Sequence, residues 1–306
     1  MNREHVAGRL CGVIPAAVTP ARADGELDLE GLAANVRAWR DLGLSGYLVL
    51  GSTGELPLLS ELERMLVVEV ARREVPDDQL LIVGTGLQST RATVEFTRRV
   101  AEAGADAALV VTPNYYVAQL TAEAFVRHYT AVADASPIPV LLYSVPPLTG
   151  VTLPVEAIIR LAEHPNIVGI KDSAGLPHAL HAVRRHTPDG FAIFSGSAVY
   201  GLGALADGAA DGLILAMANV APEHCVAMYR AVERGDLRAA RAAHRHILAL
   251  QEVLAPHGVG GIKAAVEARG WHGGPPRAPL AAPDDGTLAA IRRAVAEFAA
   301  PVTQST

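Results

Sequence analysis

The chain is poor in cysteine, in aromatic residues and in charge. Its two cysteines, Cys11 and Cys225, stand far apart in 306 residues and form no metal-ligand pattern, which argues against a disulfide framework. Such sparse usage fits a reducing compartment, and a cytoplasmic location is expected. No apolar run reaches the ~18 residues of a membrane-spanning helix, although the mean hydropathy is +0.25. Alanine and short aliphatic residues raise that index without forming a continuous stretch. The first twenty residues carry early charges and no apolar segment of signal-peptide length. Charged residues make up 19% of the chain, against about 25% in an average soluble protein. Basic residues do not dominate them: 26 Lys and Arg face 32 Asp and Glu, a formal net charge of −6. Nucleic-acid binders present a basic face, so neither a nucleic-acid nor a membrane partner is expected.

Half of the residues are hydrophobic, enough for a large core and too many for intrinsic disorder. They are arranged in a beat. Short apolar, β-branched runs at 12–19, 47–50, 80–84, 107–112, 138–143, 167–171, 192–195 and 212–215 read as strands. Between them, segments such as 29–42, 61–74, 91–103 and 122–133 place apolar residues three and four apart, the period of a helix. Strands that are apolar throughout suit a parallel sheet covered on both faces. Eight such units predict an α/β fold of the (β/α)8 type over residues 1–220; a doubly wound sheet is the competing reading. From Ala221 the strands stop, and 222–233, 236–254, 260–269 and 286–299 read as helices. No linker precedes them, so 221–306 is expected to be a helical appendix packed on the barrel.

Barrels of this kind carry their chemistry at the C-terminal ends of the strands. Those positions hold Gly51-Ser52-Thr53-Gly54-Glu55, Asn114-Tyr115-Tyr116, Tyr143-Ser144-Val145-Pro146 and Gly169-Ile170-Lys171-Asp172-Ser173. Tyr143 and Lys171 are 28 residues apart, one βα unit, which places them side by side if each closes its strand. Burial disfavours a lysine ammonium, and a free amine attacks a ketone to give a Schiff base. A neighbouring tyrosine hydroxyl can shuttle the protons, and the turn Ser52–Gly54 offers hydroxyls and backbone N–H groups to a carboxylate. Ketone, carboxylate and proton shuttle together describe a 2-keto acid such as pyruvate.

Taken singly, each feature has a plainer explanation. A strand-end lysine is more often snorkelling or salt-bridged, Gly-Ser-Thr-Gly-Glu is an ordinary turn with a helix cap, and paired tyrosines are usually packing. Their joint placement after strands 2, 4, 5 and 6 favours chemistry.

These residues resemble the dihydrodipicolinate synthase / N-acetylneuraminate lyase family of class I aldolases. The motifs are GSTGE at 51–55, the Tyr-Tyr pair after VTP, YSVPPLTG at 143–150, GIKDS at 169–173 and ANVAPE at 218–223. The resemblance implies a (β/α)8 barrel with a C-terminal helical region, usually a homotetramer built of tight dimers, that needs no metal or organic cofactor. It implies that Lys171 forms the Schiff base and Tyr143 relays protons with Ser52. Thr53, with Gly54, would help bind the pyruvate carboxylate, and Gly196 and Ile214 would line the pyruvate pocket. Tyr115 would reach into a neighbouring subunit's site, and Ser173 and Leu148 would bear on the second substrate.

Synthases of this family usually carry an arginine where this chain has Leu148, and an asparagine where it has Ser144. An aliphatic side chain cannot make the bidentate carboxylate contact of a guanidinium, which weighs against condensation of pyruvate with aspartate semialdehyde. Several stretches, among them HPNIVGIKDS at 164–173 and GGPPRAPL at 273–280, are most similar to the branch that cleaves 4-hydroxy-2-oxoglutarate to pyruvate and glyoxylate. That cleavage is the leading expectation, with the synthase reaction and a sugar-acid lyase or dehydratase as alternatives. Thr53, where that branch usually has asparagine, keeps other members open.

Three rivals remain. Gly201-Leu202-Gly203-Ala204-Leu205-Ala206 loosely fits a dinucleotide fingerprint but falls inside the helix after strand 7 instead of following a strand directly. His178, His181 and His186, and His244 with His246, do not repeat the spacing of a helical zinc site, so no metal is expected. A silent barrel that senses a keto acid is excluded by nothing in the fold itself; the full set Ser52, Thr53, Tyr115, Tyr143 and Lys171 speaks for an enzyme.

Overall fold

The apolar runs form eight strands in the computed structural model, which describes residue 6 and residues 8–299. They are β1 (Gly12–Pro15), β2 (Gly46–Val49), β3 (Leu80–Gly84), β4 (Ala107–Val111), β5 (Val140–Ser144), β6 (Ile167–Asp172), β7 (Ala192–Ser195) and β8 (Gly212–Leu215). All neighbours run parallel, in the order β1-β8-β7-β6-β5-β4-β3-β2. The sheet closes on itself where Ala16 bridges Leu48 and where Ala17 N donates to Leu48 O at 2.8 Å and Ser45 N to Val13 O at 2.9 Å. The architecture is the expected (β/α)8 barrel.

Side-chain alternation sorts the strands' residues into two sets. Ile14, Leu48, Ile82, Leu109, Leu141, Phe194 and Ile214 point inward and fill the lumen, with Val6 and Leu10 packed against them. Val13, Val49, Val83, Val110, Leu142, Ile193 and Leu213 point outward into a larger cluster shared with the helices. Barrel helices α1 (Leu29–Trp39), α2 (Glu61–Glu74), α3 (Thr90–Glu102) and α4 (Ala122–Ala135) start where short polar side chains satisfy free N–H groups. Asp28, Ser60, Ser89 and Thr121 accept from the N–H three residues on, and Glu63 completes a capping box with Ser60. The short α5 (Pro146–Thr149), α6 (Val155–Ala162), α7 (Pro177–His186) and α8 (Gly201–Ala206) complete the ring.

Beyond β8 lie α9 (Pro222–Glu233), α10 (Leu237–Leu254), α11 (Gly258–Ala268) and α12 (Asp285–Ala299). Ile247, Leu250, Leu254, Val266, Ile291 and Val295 belong to the same buried cluster as the outer strand residues, so these helices pack on the barrel. Residues 300–306 of the expected C-terminal region lie outside the described residues. Two strand boundaries differ from expectation. The first strand stops at Pro15 instead of residue 19, because the next groups leave the ladder for a side chain: Val18 N donates to Asn219 Oδ1 at 2.9 Å, and Asn219 Nδ2 donates to Ala16 O at 2.8 Å. The fifth begins at Val140 instead of 138, since Pro139 has no N–H to give to a ladder.

Candidate active site

Lys171 occupies the penultimate position of β6, where the strand's alternation turns its side chain toward the lumen: it pairs in register with Phe194 on one side and with Tyr143 on the other. Spacing by one βα unit therefore does set the tyrosine beside the lysine. The Lys171 Nζ lies 4.4 Å from the centroid of the Tyr143 ring, and both residues are only 4% exposed. No carboxylate pairs with Lys171 among the described residues. A salt bridge was the plainer explanation of this lysine, and the structure does not provide one.

The Tyr143 hydroxyl continues toward the turn after β2, where Ser52 Oγ lies 3.4 Å away. That turn is closed by Glu55 N donating to Ser52 O at 3.1 Å. It is bounded by Leu50 (φ 56°) and Glu55 (φ 58°), the two non-glycine residues in the left-handed region among those described. Such backbone is strained for a residue with a Cβ and persists where its surroundings over-determine it. Inside the turn, the N–H groups of Ser52, Thr53 and Gly54 have no protein acceptor among the described residues. Together with the two hydroxyls they form a set of donors able to take an anion. Gly54 has no room for a side chain: a Cβ would sit 2.9 Å from Leu50 N and 3.1 Å from Ala17 O.

Gly196 closes the opposite wall. A Cβ there would meet Ser173 Oγ at 2.0 Å and Lys171 Cε at 3.0 Å, so Gly196 lies against both the lysine and the Ser173 side chains. Ile214 is fully buried in the lumen set. Of the expected site residues, the fold thus gathers Ser52, Thr53, Gly54, Tyr143, Lys171, Ser173, Gly196 and Ile214 at one end of the barrel. Two lie apart within the chain. Leu148, on α5, is 68% exposed. Tyr115 is 76% exposed, stacks edge-on against Tyr116 with ring centroids 5.0 Å apart, and makes no hydrogen bond to Ser52 or Tyr143. Its loop is fixed by Gln88 Oε1, which accepts from Asn114 N and Tyr115 N at 2.9 and 3.0 Å.

Asp172, next to the lysine, faces the other way. It lines a cavity of about 320 Å³ outside β6 and β7, together with Leu180, Ser195, Ser197 and Tyr200. Burial pushes its carboxyl up to about 6, and a hydrogen bond from Ala174 N opposes that shift. Among the described residues, no group of three or more His, Cys, Asp and Glu side chains could hold a metal. Two of the histidines have other partners: His181 Nε2 meets Asp207 Oδ2 at 2.9 Å and His244 Nε2 meets Ala198 O at 2.9 Å. No helix of the described residues is long and apolar enough to cross a membrane.

Sequence reasoning passed over Glu55, Asn219 and Lys263. The first two stand inside motifs that were read as a whole. Lys263 had a compositional signal: it and Lys171 are the chain's two lysines, the other 24 basic residues being arginines. Both lysines are buried.

The sequence model of the Dihydrodipicolinate synthetase family matches residues 9–297. A 4-hydroxy-tetrahydrodipicolinate synthase of Exiguobacterium sp. is 39% identical over 88% of this chain and 91% of its own. An uncharacterised DapA-like lyase of Halobacterium salinarum is 39% identical over 94% of each. Among solved structures, the chloride-inhibited dihydrodipicolinate synthase of Acinetobacter baumannii in complex with pyruvate superposes with a TM-score of 0.89 at 33% identity, covering 94% of this chain and 99% of that one.

Proposed function

The chain belongs to the Dihydrodipicolinate synthetase family, and we propose that it is a carbon–carbon lyase of the class I aldolase type in which Lys171 forms a Schiff base with pyruvate. The observation that carries this reading is the buried Lys171, without a carboxylate partner among the described residues and in register with Tyr143. In the proposed cycle the amine of Lys171 attacks the C2 ketone, and the carbinolamine loses water as its hydroxyl takes a proton from Tyr143, leaving an iminium. The iminium withdraws electrons from C3, so the Tyr143 oxygen takes a proton from C3 and an enamine forms. Its carbon attacks the aldehyde and the new alkoxide takes that proton; hydrolysis of the remaining iminium then releases the product, frees Lys171 and returns a proton to Tyr143 by way of Ser52. Cleavage is the same path reversed. The turn Ser52–Gly54 holds the carboxylate, while Gly196 and Ile214 leave room for the three-carbon unit.

The names of the relatives favour condensation of pyruvate with aspartate semialdehyde over cleavage of 4-hydroxy-2-oxoglutarate. The synthase reaction is therefore the first reading, and the earlier expectation gives way to it. Leu148 carries a second. With an exposed leucine where a guanidinium would face an acidic substrate, an electrophile bearing neutral hydroxyls, as in a sugar acid, fits the mouth better. A homotetramer in the cytoplasm, with Tyr115 completing a neighbour's relay, belongs to the same proposal.

Borohydride reduction in the presence of pyruvate tests the core of it. The intact mass should rise by one reduced pyruvyl adduct, localised to Lys171 among only two lysines, and Lys171→Ala should abolish it. An unmodified wild-type protein would refute the enzyme reading in favour of a silent binder. Pyruvate consumption with aspartate semialdehyde, compared with pyruvate release from a panel of sugar acids, then separates the two substrate readings.

A further inference from the structure

The second lysine has no place in that cycle, yet it is the more deeply buried of the two. Lys263, on α11, is 0% exposed, and Glu55, the last residue of the turn, is 2% exposed. Lys263 Nζ donates to Glu55 Oε2 at 2.7 Å and to Thr19 O at 2.9 Å. Thr19 Oγ1 in turn donates to Gly54 O at 2.8 Å, so the ammonium, the carboxylate and the turn's own backbone close a ring. The other carboxylate oxygen of Glu55 accepts from Arg277 N at 2.6 Å, and the Arg277 guanidinium pairs with Glu63 at the start of α2. Burial pulls the Lys263 pKa down from its ordinary value and the Glu55 charge opposes this.

The two contacts to Glu55, from Lys263 Nζ and from Arg277 N, cross from the C-terminal region to a turn whose end sits in left-handed backbone. Apart from Lys171, every other Lys or Arg position of the chain holds arginine, yet this one holds lysine. The slot explains why: one compact ammonium must reach a carboxylate and a carbonyl oxygen in a space closed to solvent, where a planar guanidinium would carry donors it could not satisfy. A purely structural ion pair is weak support for stability, since desolvating two charges offsets their attraction. Its value lies in fixing geometry.

We infer that Lys263 is a positioning residue: through Glu55 it holds the Ser52–Thr53–Gly54 turn in the shape that receives the substrate carboxylate and presents Ser52 to Tyr143. This rests on the proposed pyruvate site, so the test has one arm that needs no substrate. Lys263→Met, Glu55→Gln and the double variant are compared with the wild type in the full chain. The double variant removes both charges while keeping volume, and it serves where a single variant strands a buried charge and fails to fold.

In the substrate-free protein, amide hydrogen exchange at Glu55 and Leu56, whose N–H groups close the turn onto Ser52 O and Gly51 O, should quicken about tenfold or more, while that of α10 stays as in the wild type. With pyruvate, the concentration needed for half-maximal borohydride trapping should rise about tenfold to a hundredfold, as expected when a contact remote from the chemistry misplaces a binding group. Trapping at saturating pyruvate should survive, the mark of lost ground-state binding and not of lost chemistry. A folded double variant with wild-type exchange in the turn and wild-type pyruvate dependence would overturn the inference, leaving the pair a packing feature. Should the wild type itself trap no pyruvate, the functional reading falls, and the exchange arm alone still decides whether Lys263 holds the turn.

Discussion

Asp172 shows how much one strand position changes a side chain's chemistry. Lys171 faces the lumen; the next residue faces the layer between strands and helices, and burial there pushes its carboxyl from 3.8 up to about 6. Between those values the folded chain binds a proton that the unfolded chain has released. The stabilising contribution is therefore complete below about pH 4 and is lost as the pH rises through 6. His128 acts in the opposite sense. Burial pulls its imidazole from 6.5 down to about 4, so its contribution is present above pH 6.5 and is lost as the pH falls through 4. Because the windows overlap, the difference between Asp172→Asn and the wild type isolates the carboxyl. The amide oxygen keeps the Ala174 hydrogen bond, and the variant should be more stable above pH 6, by up to about 3 kcal/mol, and no more stable at pH 4. Urea denaturation at pH 4, 6 and 8 checks this; a variant weakened at pH 8 would contradict it.

At the scale of elements, Asn219 does the work of a missing ladder rung. It is fully buried and spans the end of β1 with three hydrogen bonds, to Val18 N, Ala16 O and Ala216 O. Asn219→Ala leaves a buried N–H and two buried carbonyls short of a partner, at roughly 1–3 kcal/mol for each group left wholly unsatisfied. A fall in the urea midpoint without a change in slope is expected; an unchanged midpoint would mean water has taken over the role. The same residue marks where local reading fails. All eight strands were legible because apolar runs of four to six residues cannot sit on a surface, and β6 was placed to within one residue of its end. The end of β1 was not legible, because a side chain 201 residues away decides it. Lys171 and Tyr143 could be placed because one repeat sets their register. Lys263 could not: within α11 it reads as an ordinary helix lysine, and its partner at Glu55 lies 208 residues back.

At the scale of the molecule, the barrel is complete within the chain but leaves an apolar patch uncovered. Tyr115, Tyr116 and Val117 are 76%, 69% and 52% exposed, adjoining residues of a loop that Gln88 holds in place. Large aromatic residues clustered in solvent mark an association surface, consistent with the proposed assembly of tight dimers. Tyr116→Asp puts a charge into that surface while sparing Tyr115. Sedimentation should show the wild type as an oligomer and the variant shifted toward the monomer at micromolar concentration; a variant that sediments as the wild type does would place the subunit contact elsewhere.

The closure of β1 against β8 also has a consequence in time. The two strands meet through Gly12 and Gly212, so the first strand leaves the ribosome roughly 10–40 s before its partner at about 5–20 residues per second. Through that interval Ile14 and its lumen-facing neighbours have only part of their packing, and the nascent chain carries an open apolar trough. Aggregation during synthesis, more than instability of the finished barrel, is the hazard this topology creates, and slower translation lengthens the exposure.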